Sequence, residues 1–431
     1  MISVLSTPTR LVTNQVDPLH ELEEHLVRNQ CAIERWFRCQ WQSTPPPFYG
    51  SVDLRNAGFK LAPIDTNLFP AGFNNLNPEH EALHITAIQH YLDQYHPSLQ
   101  RLLLIPENHT RNLYYLENVA RLAELLREAG LELRIASWML EEAQAHELPS
   151  GERLLIEPLR RVGARLQLDD FDPQMILLNN DLSGGVPEIL QGLEQTLLPP
   201  LAAGWQTRRK SQHFAHYRRL AVDFAEVVDI DPWLIDPFFR RCTEINFLQA
   251  EGLDCLVTNV DAVIAEIAER YRHYGIDARP FVIVKADAGT YGMGVMTAYS
   301  GAELRELNRK ARTRMAKSKE GLPVSDVFIQ EGVYTFERTP EDFVAEPVVY
   351  LLGQQVLGGF YRVHREKGED ESLNAPGAHF EPMAFAEPGI NPCHKSAPDA
   401  PINRHYAYGV IARLALLAAA REAEDWAKAR R

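Results

Sequence analysis

Cysteine is scarce in this chain of 431 residues: five thiols, at Cys31, Cys39, Cys242, Cys255 and Cys393. They are scattered, odd in number and contain no Cys-x-x-Cys pair, which argues against a disulfide framework or a structural zinc site and for reduced thiols. Basic charge is also in deficit. The formal net charge of −14 excludes sequence-independent nucleic-acid binding and disfavours an anionic membrane surface, since both need cations to neutralise phosphate. No apolar run reaches the roughly 18 residues that a membrane span requires. The longest candidate, 409–420, is interrupted by Arg413 and reads as a buried helix. The first 17 residues carry no charged-then-apolar leader pattern. A Walker loop is missing, as is any internal repeat. These absences leave a cytoplasmic globular protein with 45% apolar and 24% charged residues, too long for one ordinary core.

Residues 18–43 read as a helix with Leu22, Leu26, Ile33, Trp36 and Phe37 on its apolar face, ended by Pro45-Pro46-Pro47. The polar segment 49–77 follows. It is neither periodic nor low-complexity, and it is rich in Arg, Lys, Asp and Asn, which points to a site more than to a linker. A β–α alternation then begins: strands at 102–105, 131–136, 154–156, 164–168 and 175–178, and a helix at 113–129 with Gly130 as its stop signal. Alternation of this kind predicts an open α/β sheet with its ligands at strand C-terminal ends. Residues 205–250 read as mainly helical and contain the basic cluster Arg208-Arg209-Lys210. A helix at 261–274, a charged helix at 301–319, strands at 327–330, 347–352 and 355–363, a Pro- and Gly-rich stretch at 366–403 and a final helix from about Tyr408 complete the chain.

The most informative stretch is 281–295. A β-branched run, Phe281-Val282-Ile283-Val284, ends in Lys285 and opens into a loop containing Gly289, Gly292 and Gly294. A lysine at a strand end can reach a phosphate as a point charge, and glycines let backbone N–H groups close over a polyphosphate. By itself this pattern also fits an ordinary glycine turn with a surface lysine. Downstream, Phe328-Ile329-Gln330-Glu331-Gly332-Val333 runs into a hinge able to offer backbone groups to an adenine edge, and residues 347–352 and 355–363 pair as a hairpin around Gly353-Gln354. Ser372-Leu373-Asn374 closes the series.

One competing motif needs weighing. His80-Glu81-Ala82-Leu83-His84 satisfies the His-Glu-x-x-His pattern of zinc peptidases, with His90 beyond it. Ala87 stands where the extended pattern requires a helix-breaking glycine. An amphipathic helix burying Leu83, Ile85 and Ile88 accounts for the segment without a metal.

The order of lysine strand, glycine loop, acidic hinge and arginine-ending strand pair over 240–380 resembles the ATP-grasp superfamily. Together with the string Ser51–Leu76 and the segment Pro106–Asn112, it resembles the proteobacterial ATP-grasp type of glutamate–cysteine ligase over nearly the whole chain. The resemblance implies an α/β and α+β protein: an N-terminal open α/β substrate domain over 1–205, then a two-lobed ATP-grasp domain over 206–431 with its glycine loop at 286–295. It implies ATP and Mg²⁺ as cofactors and L-glutamate and L-cysteine as substrates, joined through a γ-glutamyl phosphate, and it leaves room for a homo-oligomer. Glutathione synthetase is the neighbouring alternative.

Carried over residue by residue, Lys285 would contact the α-phosphate or adenine, and Gly289, Thr290, Tyr291, Gly292 and Gly294 would close over the β- and γ-phosphates. Gln330, Glu331 and Val333 would form the adenine hinge, and Glu346 would meet the ribose. Arg362 would reach the transferred phosphoryl group, which makes it and Lys285 the catalytic candidates. Many relatives end with an Asp and then a Glu-x-Asn that hold Mg²⁺. Here no Glu-x-Asn follows Asn374, and position 372 is Ser, so Asn374, Glu346 and Glu381 are what remains for the metal. For the amino-acid substrates, Arg55, Lys60 and Arg111 suit carboxylates, Asp65 suits an ammonium, and Asn67, Asn74 and Asn75 suit paired hydrogen bonds.

Overall fold

The computed structural model describes residues 19–108, 112–289, 295–316, 324–383 and 404–429. Three sheets organise it. The first has six strands in the order Thr196–Leu198, Met175–Asn179, Arg101–Pro106, Glu132–Ser137, Arg153–Pro158, Gln144–Glu147, parallel except for the last. Its central strands are near-continuous apolar runs because both faces are covered. Leu102 and Leu104 join one core with the Leu113–Glu128 helix, while Leu103 and Ile105 join a second core on the other face. Each such fully buried side chain contributes about 1.5–3 kcal/mol.

The second sheet has five antiparallel strands in the order His379–Pro382, Gln355–His364, Val344–Leu352, Tyr49–Asn56, Leu61–Asn67. The expected hairpin around Gly353-Gln354 is present, with Leu352 opposite Gln355. The polar segment after residue 49 is not a loop but the hairpin Tyr49–Asn67, hydrogen-bonded to Val344–Leu352. A division of the chain at 205 therefore does not separate the sheets. The helix Arg404–Ala429 lies buried against this sheet, and Arg413 within it is neutralised by Glu34 at 2.7 and 2.8 Å.

The third sheet, Phe239–Cys242, Val327–Glu331, Val282–Ala286, Met296–Ala298, is antiparallel throughout. The Leu253–Tyr274 helix covers it with Leu256, Val260, Val263 and Ile267, the spacing of one helical face. This helix begins eight residues before the expected 261.

Three other helical expectations change. The first helix is two, Leu19–Arg28 and Gln30–Ser43. Over 205–250 only Lys210–Val228 is α-helical: Asp229 in the left-handed region ends it, and the chain then forms the Phe239–Cys242 strand. The 301–319 segment holds two short helices, Ala302–Arg305 and Arg309–Met315, because the Asn308 side chain accepts from Ala311 N and starts a new helix. Among the described residues no helix is long and apolar enough to cross a membrane.

Candidate active site

The five-stranded and four-stranded sheets enclose a cleft with a cavity volume of ≈ 100 Å³. One wall presents Asp53, Arg55, Asp65, Glu346 and Arg362, and the other Lys285, Gln330, Glu331 and Val333. Lys210, Gly289 and Asn374 complete the rim. Residues from the first 70 positions thus share a cleft with residues beyond 280.

Lys285 stands where the third sheet meets this cleft. Its Nζ donates to Ile64 O at 2.8 Å and to Gln330 Oε1 at 2.9 Å. Burial pulls its pKa down to about 8, with Lys210 adding to the effect and Asp65 and Asp53 opposing it. Gln330 is 1% exposed, and its Nε2 has no hydrogen-bond partner among the described residues. An unsatisfied buried amide costs about 1–3 kcal/mol, so an acceptor from a ligand would stabilise it. Gly289 has φ +97 and open space around a Cβ, as a chain turning over a ligand requires. Thr290, Tyr291, Gly292 and Gly294 lie outside the described residues, as does Arg111.

Arg362 donates through Nη1 to Asp53 Oδ2 at 2.8 Å and to Glu346 Oε1 at 2.5 Å. Glu346 is thereby drawn into an ion-pair network: its Oε2 accepts from Arg55 Nε at 3.1 Å. Arg55 also donates through Nη1 to Val333 O at 3.2 Å and Glu369 O at 3.1 Å, and through Nη2 to Glu371 O. Arg55 thus lines the cleft with its donors committed within the protein. It staples the hinge and the 369–371 loop to the second sheet.

Lys60 is also committed elsewhere. It is 1% exposed, donates to Asp236 O at 3.0 Å and Glu331 Oε2 at 3.0 Å, lies over the Trp233 ring, and does not line the cleft. Glu331 additionally accepts from Trp233 Nε1 at 3.1 Å and Phe238 N at 2.8 Å, so its carboxylate faces inward and not toward a ribose. Asp65 is in the cleft, clamped by Lys210 Nζ at 2.8 and 3.0 Å. Burial opposes its charge, yet Lys210 and Lys285 hold its carboxyl well below the usual range.

Asn67, Asn74 and Asn75 do not line the cleft. Asn67 closes a turn through Phe69 N at 2.9 Å, Asn74 is exposed and Asn75 half-buried. Asn374 does reach the rim, whereas Glu381 pairs with His379 at 3.1 Å away from it. Among the described residues no group of three His, Cys, Asp or Glu could hold a metal ion. That also removes the zinc reading. His84 is buried, with Nε2 donating to Leu357 O at 3.0 Å, and burial lowers its pKa to about 4; Glu81 is bound by Arg121.

Sequence reasoning missed Asp53 and Lys210 as cleft residues. The alternation Val52-Asp53-Leu54-Arg55, with apolar residues fully buried between polar ones, was the available signal for a strand facing two ways.

Two lobes with cations converging between them form the kind of cleft that binds an anionic nucleotide. A family profile described as glutamate-cysteine ligase (GshA) matches residues 23–423. A solved structure from Methylobacillus flagellatus KT, provisionally named a gamma-glutamylcysteine synthetase, is 56% identical, with 97% of this chain and 99% of that chain covered and a TM-score of 0.89. D-alanyl-alanine synthetase A from Vibrio cholerae (11% identical, 74% and 81% covered, TM-score 0.33) and a glutathione synthetase-like effector from Globodera pallida (10%, 84% and 82%, 0.38) superpose too loosely to carry an argument. No curated protein sequence matches. The protein is an ATP-dependent ligase acting on small-molecule substrates. The chain belongs to the glutamate–cysteine ligase family.

Proposed function

We propose that the chain joins the γ-carboxylate of L-glutamate to the amine of L-cysteine in the cytoplasm, converting ATP to ADP and phosphate. A carboxylate is a poor electrophile, and phosphorylation makes it an acyl phosphate that an amine can attack. Such chemistry asks a protein for positioning and charge neutralisation more than for a nucleophile of its own. One observation carries the reading: in a chain of this family, Lys285, Lys210 and Arg362 converge on one cleft beside the start of the glycine loop.

The residues fit a nucleotide. Lys285 would neutralise a phosphate, the Gln330 Nε2 donor and the Glu331–Val333 backbone would take the base edge, and Arg362 would contact the phosphoryl group as it passes to the glutamate γ-carboxylate. The cleft carboxylates are engaged by cations, so Asn374 is the residue that would lie beside a divalent ion, which we take to be Mg²⁺. When bound, that ion neutralises phosphate charge.

Phosphate release with ATP and Mg²⁺, omitting glutamate and cysteine in turn, tests the reading. Release should require both amino acids for full rate. Release indifferent to either one refutes it.

A further inference from the structure

Most cleft carboxylates have no oxygen to spare. Glu346 accepts from Arg362 on one oxygen and from Arg55 on the other. Asp65 is held by Lys210 on both oxygens. Glu331 is turned inward to Lys60, Trp233 and Phe238. Asp53 differs. Among the described residues only its Oδ2 is engaged, by Arg362, and its side chain is 18% exposed on the cleft wall. Asp53 also lies directly opposite Asp65 across the strand pair, an arrangement of like charges that a sheet does not adopt for stability.

Resting on the ligase reading above, we propose that Asp53 is the general base that takes a proton from the amine of the acceptor amino acid. An amino acid arrives as an ammonium ion and cannot attack in that form. The Asp53 carboxylate accepts one proton from the nitrogen. The freed lone pair forms the C–N bond, the C–O bond of the acyl phosphate breaks, and phosphate leaves with that electron pair. The second nitrogen proton passes to water as the amide forms.

The surroundings suit the role. Burial raises the Asp53 pKa from its ordinary value. Arg362 from the neighbouring strand opposes that rise, and Glu346 and Asp65 add to it. Lys285 from the facing sheet and the Tyr350 hydroxyl are the other groups within its field. A base with a raised pKa binds the proton it must accept more tightly than an ordinary aspartate does.

The test separates the two half-reactions. Asp53→Asn also loses the ion pair with Arg362, so the readout is a ratio: kcat with cysteine should fall at least about tenfold further than glutamate-dependent positional isotope exchange in ATP, which reports acyl phosphate formation without an amine. With cysteine it should lose about 100-fold or more in kcat, the lower end for general-base catalysis. With hydroxylamine, already neutral near physiological pH and needing no base, the loss should match that of the exchange and not that seen with cysteine. The acidic limb of the kcat profile with cysteine should disappear. Equal losses with cysteine and hydroxylamine, or loss of the exchange, overturn the proposal by placing Asp53 in phosphoryl transfer or in the fold. Absence of glutamate-dependent exchange in the parent protein removes the ligase reading itself, a different result from any of these.

Discussion

Replacing Lys60 by Met distinguishes a buried structural cation from a substrate ligand. The Lys60 ammonium and Glu331 carboxylate are each 1% exposed and 3.0 Å apart. Met keeps most of the apolar stem against Trp233 but leaves Glu331 charged and without its cation. Breaking a buried pair in this way costs about 3–5 kcal/mol, because the remaining charge is uncompensated. Glu331→Gln leaves Lys60 stranded and should cost a similar amount. In the double variant no unpaired charge remains, and the Gln amide can donate to Asp236 O, the acceptor Lys60 has given up. The double variant should therefore lose less stability than either single one. Urea unfolding followed by tryptophan fluorescence reads this out, since Trp233 sits in the network at 3.1 Å from Glu331. The Michaelis constant for glutamate should stay within about twofold, far less than the tenfold that about 1.4 kcal/mol of lost binding would give. Full stability in the Lys60→Met variant, together with a tenfold rise in that constant, would refute the structural assignment and restore Lys60 as a substrate ligand.

Three other outcomes follow from the structure. Lys285→Ala should lower kcat/KM for ATP at least about tenfold, about 1.4 kcal/mol. In the parent protein kcat/KM for ATP should fall above pH about 8 as Lys285 loses its charge, whereas Lys285→Arg, which stays protonated, should abolish that alkaline limb; an unchanged limb would assign it to another group. His84 should make the fold acid-sensitive. Its pKa is lowered from 6.5 to about 4, so between those values the unfolded chain binds a proton that the folded chain does not; stability is intact above pH 6.5 and falls by about 3 kcal/mol as pH drops through 4. Denaturation midpoints of the parent and His84→Gln measured across that window should diverge, and parallel curves would exclude His84. At Gly332 a Cβ would lie 2.2 Å from the Phe281 ring, so Gly332→Ala should cost about 1–3 kcal/mol and raise KM for ATP by displacing the hinge; thermal melting and nucleotide titration check the two effects.

How much of this was legible in the sequence depends on the reach of each interaction. The strands at 102–105 and 175–178 were readable because burial on both faces imposes an unbroken apolar run, a local signature. Lys285 was readable because a β-branched strand must end where a glycine loop begins. The hairpin Tyr49–Asn67 was not readable as strands. Its cleft-facing positions carry Asp53, Arg55 and Asp65, so its composition is that of a site while its backbone is that of a sheet interior. Arg55 and Lys60 were assigned to substrate because a single sequence does not disclose a partner 291 or 271 residues away, as Glu346 and Glu331 are. The composition said correctly that these charges were not surface decoration, and left open whether a ligand or the protein itself would neutralise them.

That question has a general answer in the charge balance of the cleft. Its lining places Arg55, Lys210, Lys285 and Arg362 against Asp53, Asp65 and Glu346, with Glu331 already matched by Lys60 outside the lining. Among the described residues four cations face three carboxylates, so most of that positive charge is neutralised before any nucleotide arrives. A polyphosphate needs more than the single remaining charge, and the pairs cannot simply be released, because each broken one strands a partner in a poorly solvated wall. The balance must come from groups that carry no fixed counter-charge: the backbone N–H groups of the glycine loop and a divalent ion bound with the phosphates. On this argument, raising ionic strength should weaken nucleotide binding only modestly, since pre-paired buried charges are poorly screened, whereas removing the divalent ion should weaken it strongly. Nucleotide affinity measured by calorimetry at low and high salt, with and without a chelator, separates the two. A steep salt dependence with little effect of chelation would mean that the lining cations are unpaired in solution and that the balance drawn here is wrong.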